Sequence, residues 1–226
     1  MLESSNAWRG AYPGAQIGIL ALDDVANPEF CPELDLRKTA LENRLRSLFA
    51  GLTRQAIEAL PTIQAYTTYL KPFKKTYHVM LQLESVTLKN KPIPGVAALV
   101  EAMFMAELES QLLTAGHDLD TLQLPVSIEV ANGEERYILR SGQEQVLKPN
   151  DMYIKDRQGI ISDIIYGPDQ RTQIKQETRR VLFTVYAPSG ISQNSLSKHL
   201  ETMREYVKLI SPKAETTVLE IVEAGN

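Results

Sequence analysis

The apolar residues change their spacing near Asp120, and this change constrains the fold more than any other feature of the sequence. Before Asp120 they recur with the period of a helix, and after it they alternate or cluster as in strands. Helices are predicted over 35–49, 53–60, 76–88, 96–113 and, near the end of the chain, 192–209. Strands are predicted over 15–22, 126–130, 135–140, 152–155, 160–166, 181–186 and 216–222. Helices that mostly precede strands predict an α+β fold rather than a wound βαβ sheet.

The dipeptide Asn132-Gly133 is a strong turn signal in the strand-rich half of the chain. Asn and Gly tolerate the positive φ angles that tight hairpin turns require. The dipeptide therefore predicts that the strands over 126–130 and 135–140 pair with each other as a hairpin.

Charge and cysteine content exclude several classes of protein. The chain carries 24 Lys and Arg against 28 Asp and Glu, a net charge of −4, which argues against a protein that coats DNA. A single cysteine, Cys31, forms no internal disulfide and fits a reducing cytoplasm. No apolar run approaches the ~18 residues of a membrane span, and no Cys/His cluster has zinc spacing. We therefore expect a cytoplasmic protein that uses no membrane, metal or other cofactor.

The N-terminal region has a weaker pattern than the rest of the chain. Residues 1–12 lack the basic and apolar regions of a signal peptide and are expected to form a lightly docked tail. The chain is expected to be a single domain over 1–226, in which 1–65 is a candidate helical extension and 66–226 carries the motifs described next. A separate subdomain over the first ~65 residues is the alternative.

Two groups of motifs indicate a known family. The first group is IPGVAALVE (93–101), AELE (106–109) and GHDLDTLQ (116–123), and the second is LKPND (147–151), IISDIIYG (160–167), QET (176–178) and VLF (181–183). In this order and spacing they resemble the B3/B4 editing and tRNA-binding module of the phenylalanyl-tRNA synthetase β subunit, over about half of the chain. The resemblance implies a stand-alone B3/B4 protein with a layered β-sandwich of unusual topology and helices packed around it.

The same resemblance implies a class of partner. In the synthetase this module hydrolyses tyrosine that is wrongly esterified to the phenylalanine tRNA, because a site that selects phenylalanine does not fully exclude an analogue of similar shape. The implied partners are therefore a tRNA or an aminoacyl-tRNA, with an aromatic amino acid as a further ligand.

The resemblance places candidate catalytic residues at His117, Asp169 and Gln170. The family's editing histidine falls on Ala115, two residues before His117, and Gln170 stands where the family has a glutamate. Hydrolysis without a metal would need these side chains to orient water and the amino acid. The alternatives are that His117 caps the C-terminus of the preceding helix and that Pro168–Gln170 forms an ordinary turn.

The candidate residues of the substrate pocket are Glu101, Asp118 and Tyr166. Glu101 and Asp118 match acidic positions of the family, and Tyr166 lies in the second group of motifs. The alternative for Glu101 is a salt-bridged helix face. The alternative for Asp118 is that its carboxylate accepts hydrogen bonds from backbone N–H groups of its own turn.

The candidate RNA-binding residues are Lys71, Lys74, Lys75 and His78, which alternate with Phe73 and Tyr77 in the densest basic and aromatic cluster of the chain. Basic side chains for phosphates and rings for stacked bases suit the single-stranded end of a tRNA. The alternative is the solvated start of a helix.

Three functions are consistent with these patterns. The protein is a free-standing deacylase that removes wrong amino acids from tRNA, a non-catalytic binder of tRNA or amino acid, or a small-molecule binder without an RNA role. We expect tRNA-associated binding, with hydrolysis as the open alternative. The sequence shows no ATP-binding core for ligation and no pattern that fixes an oligomeric state.

Overall fold

The computed structural model describes residues 1–225. Its helices are α1 (Asn6–Ala11), α2 (Pro32–Leu48), α3 (Arg54–Glu58), α4 (Pro61–Leu70), α5 (His78–Thr87), α6 (Ala98–Ser110) and α7 (Gln193–Ile210). Its strands are β1 (Leu2–Ser4), β2 (Gln16–Asp23), β3 (Leu113–Asp118), β4 (Val126–Val130), β5 (Arg136–Ile138), β6 (Glu144–Val146), β7 (Met152–Lys155), β8 (Ile160–Asp163), β9 (Gly167–Pro168), β10 (Val181–Ala187) and β11 (Glu215–Glu223). Within these residues, no helix combines the length and the apolar character that crossing a membrane requires.

One sheet has the strand order β11-β2-β10-β3, and every neighbouring pair in it is antiparallel. Strand β2 lies in the interior of this sheet and is buried along nearly its whole length, as its unbroken apolar sequence predicts. Helix α7 packs on β2. A Cβ atom at Gly18 would stand 3.0 Å from Leu196 and 3.1 Å from Leu200, so glycine at this position allows α7 to approach.

The second sheet has the order β1-β4-β7-β8-β9, in which β1 runs parallel to β4 and the other pairs are antiparallel. Strands β5 and β6 form a separate two-stranded hairpin. Apolar side chains of both sheets, such as Ile154 of β7 and Phe183 of β10, belong to one continuous core. The predicted α+β fold, with layered sheets and helices packed around them, is confirmed.

The N-terminal residues belong to the folded core, so the predicted tail over 1–12 is wrong. Strand β1 pairs with β4, and the Ser5 hydroxyl caps α1 by accepting a hydrogen bond from the Trp8 N–H at 3.1 Å. The Trp8 side chain is fully buried, and its Nε1 donates to Met152 Sδ at 3.1 Å. The Trp8 side chain therefore anchors residues 1–12, although most other residues of this segment are polar or small.

The first 65 residues contribute the strands β1 and β2 as well as helices. Strand β2 pairs with β10 on one side and with β11 on the other, and both of these partners come from the last quarter of the chain. The two ends of the sequence therefore meet in one sheet.

Two segments differ from the predicted helices. The predicted helix over 96–113 ends at Ser110, because Gln111 adopts a φ of 59° and the chain continues as strand β3. The predicted helix over 53–60 ends before Pro61, and no helix is predicted over the residues of α4, because proline inside a helix usually breaks it. Pro61 instead occupies the first turn of α4, where a helix needs no backbone N–H.

The predicted hairpin at Asn132-Gly133 is also wrong, although a turn does form there. The Glu135 carboxylate accepts hydrogen bonds from the Asn132 N–H at 3.0 Å and from the Gly133 N–H at 3.1 Å. Strand β4, however, pairs with β1 on one side and with β7 on the other. Because both edges of β4 are occupied, β5 pairs with β6 instead.

The burial of Trp8 predicts that the N-terminal segment contributes strongly to stability. Trp8→Ala should lower the free energy of unfolding by about 3–5 kcal/mol, because it leaves a large cavity in the core. Chemical denaturation followed by circular dichroism measures this loss, since the substitution removes the single tryptophan of the chain. Asn6→Ala, at an exposed position of the same helix, should change stability by about 0.5 kcal/mol or less. Equal effects of the two substitutions would contradict an anchoring role for Trp8.

Candidate functional site

The structure brings two of the three candidate catalytic residues together. His117 lies in β3 with its side chain fully buried, and its Nδ1 is 2.8 Å from Thr172 Oγ1. The Thr172 hydroxyl in turn donates to Asp169 Oδ1, which also accepts a hydrogen bond from the Thr172 N–H at 3.0 Å. His117 and Asp169 are thus linked through a buried threonine, which no pattern in the sequence indicates.

An arginine extends this polar chain toward the surface. Arg171 Nε lies 3.6 Å from Asp169 Oδ2, and its two terminal nitrogens donate to the Asp156 carboxylate at 3.0 Å and 2.9 Å. Such a two-point guanidinium–carboxylate contact fixes the orientation of the loop that follows β9. The third candidate, Gln170, has an exposed side chain, and its N–H donates to the Ile138 carbonyl at 2.9 Å. Within the described residues, the Gln170 side chain makes no hydrogen bond to His117 or Asp169.

The environment of His117 determines its protonation. Burial, and then the positive charge of Arg171, lower the pKa of His117 to about 3. The imidazole is therefore neutral at physiological pH. Its Nε2 has no hydrogen-bond partner among residues 1–225. His117 lies within strand β3, so the predicted alternative that it caps a helix C-terminus is wrong, because α6 ends at Ser110.

The three candidate pocket residues lie in different surroundings. Glu101 is buried and forms an ion pair with Lys38 at 3.1 Å, which joins α6 to α2. The Asp118 carboxylate accepts hydrogen bonds from the Asp120 N–H at 3.1 Å and from Thr178 Oγ1 at 2.7 Å, as the Asp-Leu-Asp turn predicts. Both carboxylates thus have structural partners.

The remaining pocket candidate, Tyr166, contacts the predicted RNA-binding residues. Its ring is half-buried, and the Lys75 ammonium group lies 4.9 Å from the ring centroid in a cation–π contact. This contact joins the turn after α4 to the segment between β8 and β9.

Three lysines in the turn after α4, Lys71, Lys74 and Lys75, are exposed, and we call them the basic cluster. Within the described part of the chain, none of the three forms an ion pair. His78 follows at the start of α5 and is exposed as well. Tyr77 is buried and stacks on Tyr66 with ring centroids 4.1 Å apart, so this ring is not available to stack on a base.

A surface pocket of about 660 Å³ lies beside the basic cluster. Its lining residues are Tyr12, Thr68, Tyr69, Pro72, Phe73, Lys148, Pro149 and Asn150, and we call it the aromatic pocket. Three parts of the chain meet there: the C-terminal end of α1, the end of α4 with its following turn, and the loop before β7. The volume lies within the range of about 300–1,000 Å³ that is typical of ligand sites.

The wall of the aromatic pocket is fixed by hydrogen bonds. The Tyr12 hydroxyl donates to the Asn150 carbonyl, and the Lys148 ammonium donates to the Phe73 carbonyl at 3.1 Å. The Tyr69 hydroxyl donates to Asp151 Oδ1 at 2.5 Å and accepts a hydrogen bond from the Met152 N–H at 2.7 Å. The aromatic rings are therefore held in place before any ligand binds.

Two buried carboxylates, Asp151 and Asp163, lie behind this wall and form the acid pair. Asp163 Oδ1 accepts hydrogen bonds from the Tyr166 and Gly167 N–H groups at 2.7 Å and 2.9 Å and from the Tyr137 hydroxyl at 3.1 Å. Within residues 1–225, Oδ2 of each carboxylate lacks a hydrogen-bond partner. A single proton held between the two carboxyl groups satisfies one oxygen of each.

Burial raises the pKa of both members of the acid pair, and the negative charge of Asp163 raises the pKa of Asp151 further. These raised pKa values favour retention of a proton on the pair at pH values where a free aspartate is ionised. No group of three or more His, Cys, Asp or Glu side chains in the described residues is arranged to hold a metal ion.

The sequence contains one signal that indicates the acid pair. Asp163 interrupts the run IISDII, and a carboxylate inside an apolar strand must be either paired or protonated when the strand is buried. Both aspartates lie inside motifs that support the family resemblance. The contacts of the two aspartates with Tyr69 and Tyr137 depend on tertiary packing. The sequence around these tyrosines therefore does not indicate that they belong to the site.

The fold described above is that of an α+β protein with two packed sheets that share one core. The B3/4 domain family matches residues 63–220, more than half of the 226 residues. The chain belongs to the B3/4 domain family, and the family predicted from the motifs is confirmed.

A solved structure from an archaeon is also similar to this chain. It is an N-terminal fragment of the phenylalanyl-tRNA synthetase β-subunit from Pyrococcus horikoshii, with 9% sequence identity and a TM-score of 0.48. The match covers 98% of this chain and 50% of that fragment, so the chain spans about half the length of the fragment. No curated protein matches the sequence.

The acid pair predicts an unusual dependence of stability on pH. Because the folded state raises the pKa of Asp151, it retains a proton that the unfolded chain releases near pH 4. The stability that this proton provides is present below about pH 4 and is lost as the pH rises toward about 9. Each pKa unit of the shift corresponds to about 1.4 kcal/mol. The wild type should therefore lose at least about 2 kcal/mol of unfolding free energy across this range.

Asp151→Asn tests this prediction, because its amide can accept the Tyr69 hydrogen bond and donate to Asp163 without a titrating proton. Urea denaturation at a series of pH values should give a flatter profile for this variant, with higher stability than the wild type at alkaline pH. Glu129→Gln, which changes a surface carboxylate of β4, serves as the control. Parallel profiles for Asp151→Asn and the wild type would contradict a shared proton.

Proposed function

We propose that this protein binds the single-stranded end of a tRNA, free or aminoacylated, on the surface formed by the basic cluster and the aromatic pocket. The observation that carries the proposal is the position of three exposed lysines, which have no ion-pair partner among residues 1–225, beside a pocket lined by aromatic rings. Single-stranded nucleic acid is bound by this combination, in which cations meet phosphates and rings stack on bases. We place this function in the cytoplasm.

Electrostatics supports a local rather than a global interaction with RNA. The whole chain has a net charge of −4, which does not attract a polyanion. Attraction therefore depends on the basic cluster. The Debye length is about 8 Å at physiological salt, so only lysines within about that distance of a bound phosphate attract it strongly. Membership of the B3/4 domain family adds support, because the resemblance to the synthetase module implies the same class of partner.

Hydrolysis of a mischarged aminoacyl ester is a second candidate function. The contact of His117 with Asp169 through Thr172 favours it, because a histidine oriented by a hydrogen-bonded partner is a common arrangement for a general base. The complete burial of His117 weighs against it, since a general base must reach the water that it activates. We therefore propose binding without hydrolysis at His117.

The proposed RNA surface predicts a charge-specific loss of affinity. Lys74→Glu combined with Lys75→Glu should weaken tRNA binding strongly, because two phosphate contacts are lost and two repulsive charges are added. The slope of log affinity against log salt should decrease in magnitude by about 1.4, since each contact with a single strand contributes about 0.7. Filter binding or fluorescence anisotropy at several salt concentrations measures both quantities.

Lys198→Glu combined with Lys213→Glu is the matched control, because it makes the same change in net charge at two exposed lysines of α7 and of the turn after it. The control should retain most of the affinity and the full salt slope. If both double variants bind tRNA equally, the basic cluster is only a solvated turn and the proposal fails.

A deacylation assay separates binding from hydrolysis. Tyrosyl- and phenylalanyl-tRNA incubated with the protein should lose their amino acid at the rate of the uncatalysed reaction, because buried His117 does not reach the ester. Hydrolysis above this background that disappears in Asp169→Asn would show instead that the His117–Thr172–Asp169 chain is catalytic.

A further inference from the structure

The aromatic pocket has the geometry of a site for a flat ring. The Tyr12 and Tyr69 ring centroids are 5.6 Å apart with planes tilted by 49°, and Tyr69 and Phe73 are 5.5 Å apart with a tilt of 46°. The three rings therefore form a curved wall rather than a closed stack. Tyr69 and Phe73 are each 8% exposed and Tyr12 is half-buried, so a planar ligand that enters the pocket meets mainly Tyr12 and the exposed edges of the other two rings.

The polar groups of the aromatic pocket are adaptable donors and acceptors. Thr68 and Asn150 are exposed, and within the described residues their side chains make no hydrogen bond to the protein. The Asn150 amide offers both a donor and an acceptor, and the Thr68 hydroxyl can serve as either. These groups suit the edge of a nucleobase, which also presents donors and acceptors side by side.

The charges around the pocket discriminate between a nucleotide and an amino acid. None of the residues that line it is acidic, and Lys148 supplies a positive charge. The Asp151 carboxylate behind Tyr69 is fully buried and already accepts the hydrogen bond of the Tyr69 hydroxyl. The α-ammonium group of an amino acid therefore has no carboxylate to pair with, whereas an anionic phosphate has a lysine available.

The basic cluster continues from the lining of the pocket. Lys71 and Lys74 flank Pro72 and Phe73, which belong to the lining, and all four lie in one tight turn in which Lys74 adopts a φ of 57°. When a nucleobase occupies the pocket, the phosphate attached to it is therefore expected near the exposed ammonium groups of Lys71 and Lys74.

We infer that the aromatic pocket binds one unstacked nucleobase, and that Lys71 and Lys74 contact the phosphate of the same nucleotide. This inference deepens the proposed function and rests on it for the RNA context, but the pocket itself is tested with a mononucleotide. The pocket then gives specificity through its contacts with the base. The lysines attract phosphates of any nucleic acid, whatever its sequence.

Calorimetric titration of the full chain with adenosine 5′-monophosphate, adenosine, inorganic phosphate, L-tyrosine and L-phenylalanine tests the inference. The nucleotide should bind most tightly, because it alone provides both the ring and the phosphate. Thr68→Trp places an indole in the pocket from an exposed helix position and should weaken nucleotide binding at least about tenfold. Gln64→Trp, one turn earlier on α4 and outside the aromatic pocket, is the control and should bind as the wild type does.

A second variant removes a polar contact without adding bulk. Asn150 has a φ of 67°, which glycine adopts without strain, so Asn150→Gly keeps the loop and deletes the amide. It should weaken nucleotide binding about fivefold, the effect of one lost hydrogen bond. Circular dichroism of each variant confirms that the fold is retained.

Two results would overturn the inference. Tighter binding of L-tyrosine or L-phenylalanine than of the nucleotide, weakened by Thr68→Trp, would make the pocket an amino-acid site. Nucleotide affinity that is equal in the wild type, Thr68→Trp and Asn150→Gly would place the nucleotide elsewhere.

Failure of this inference is distinguishable from failure of the proposed function. If tRNA binds with the expected dependence on Lys74 and Lys75 while the mononucleotide does not bind in the pocket, the proposed function stands and this inference fails. If the mononucleotide binds in the pocket while tRNA does not bind, the inference stands and the tRNA function fails.

Discussion

Strand β2 is the element on which the rest of the structure depends, because it pairs along its length with β10 on one side and β11 on the other. Its backbone N–H and C=O groups are buried, and they need these partners to avoid the cost of unpaired polar groups. Both partners lie more than 150 residues further along the chain. The complete sheet therefore requires both ends of the described chain, and α7 packs on β2 in the folded state.

Buried polar side chains form a hydrogen-bonded connection between the core and the aromatic pocket. Ser162, next to Asp163, shares a hydrogen bond of 2.8 Å with the Tyr186 hydroxyl of β10, and the acid pair holds the Tyr69 hydroxyl from behind. A buried carboxylate is tolerated when hydrogen bonds and a retained proton offset its desolvation. The Tyr69 ring is consequently held in position by groups behind the pocket wall, and such preorganisation would lower the entropic cost of binding a ligand.

The candidate catalytic chain and the aromatic pocket differ in how far solvent can reach them. The His117–Thr172–Asp169 chain is buried, and Arg171 joins its Asp169 end to Asp156, so it stabilises the loop after β9. The aromatic pocket is open and lies beside unpaired lysines, within the part of the chain that the structure describes. Membership of the B3/4 domain family fixes the scaffold, and the surface that is accessible on it decides what the protein binds.

The sequence by itself determined the α+β class, the buried strand at 15–22 and the family, because periodicity and motif order are local properties of the chain. It also located the basic cluster. Only the tertiary structure decided that Trp8 anchors the N-terminus, that β5 pairs with β6 rather than with β4, and that His117 is buried in a strand. It likewise brought Tyr12, Tyr69 and Lys148 into one pocket and placed Asp151 against Asp163. These contacts join residues that are distant in sequence, and their energies depend on burial and on partner geometry, which no local pattern records.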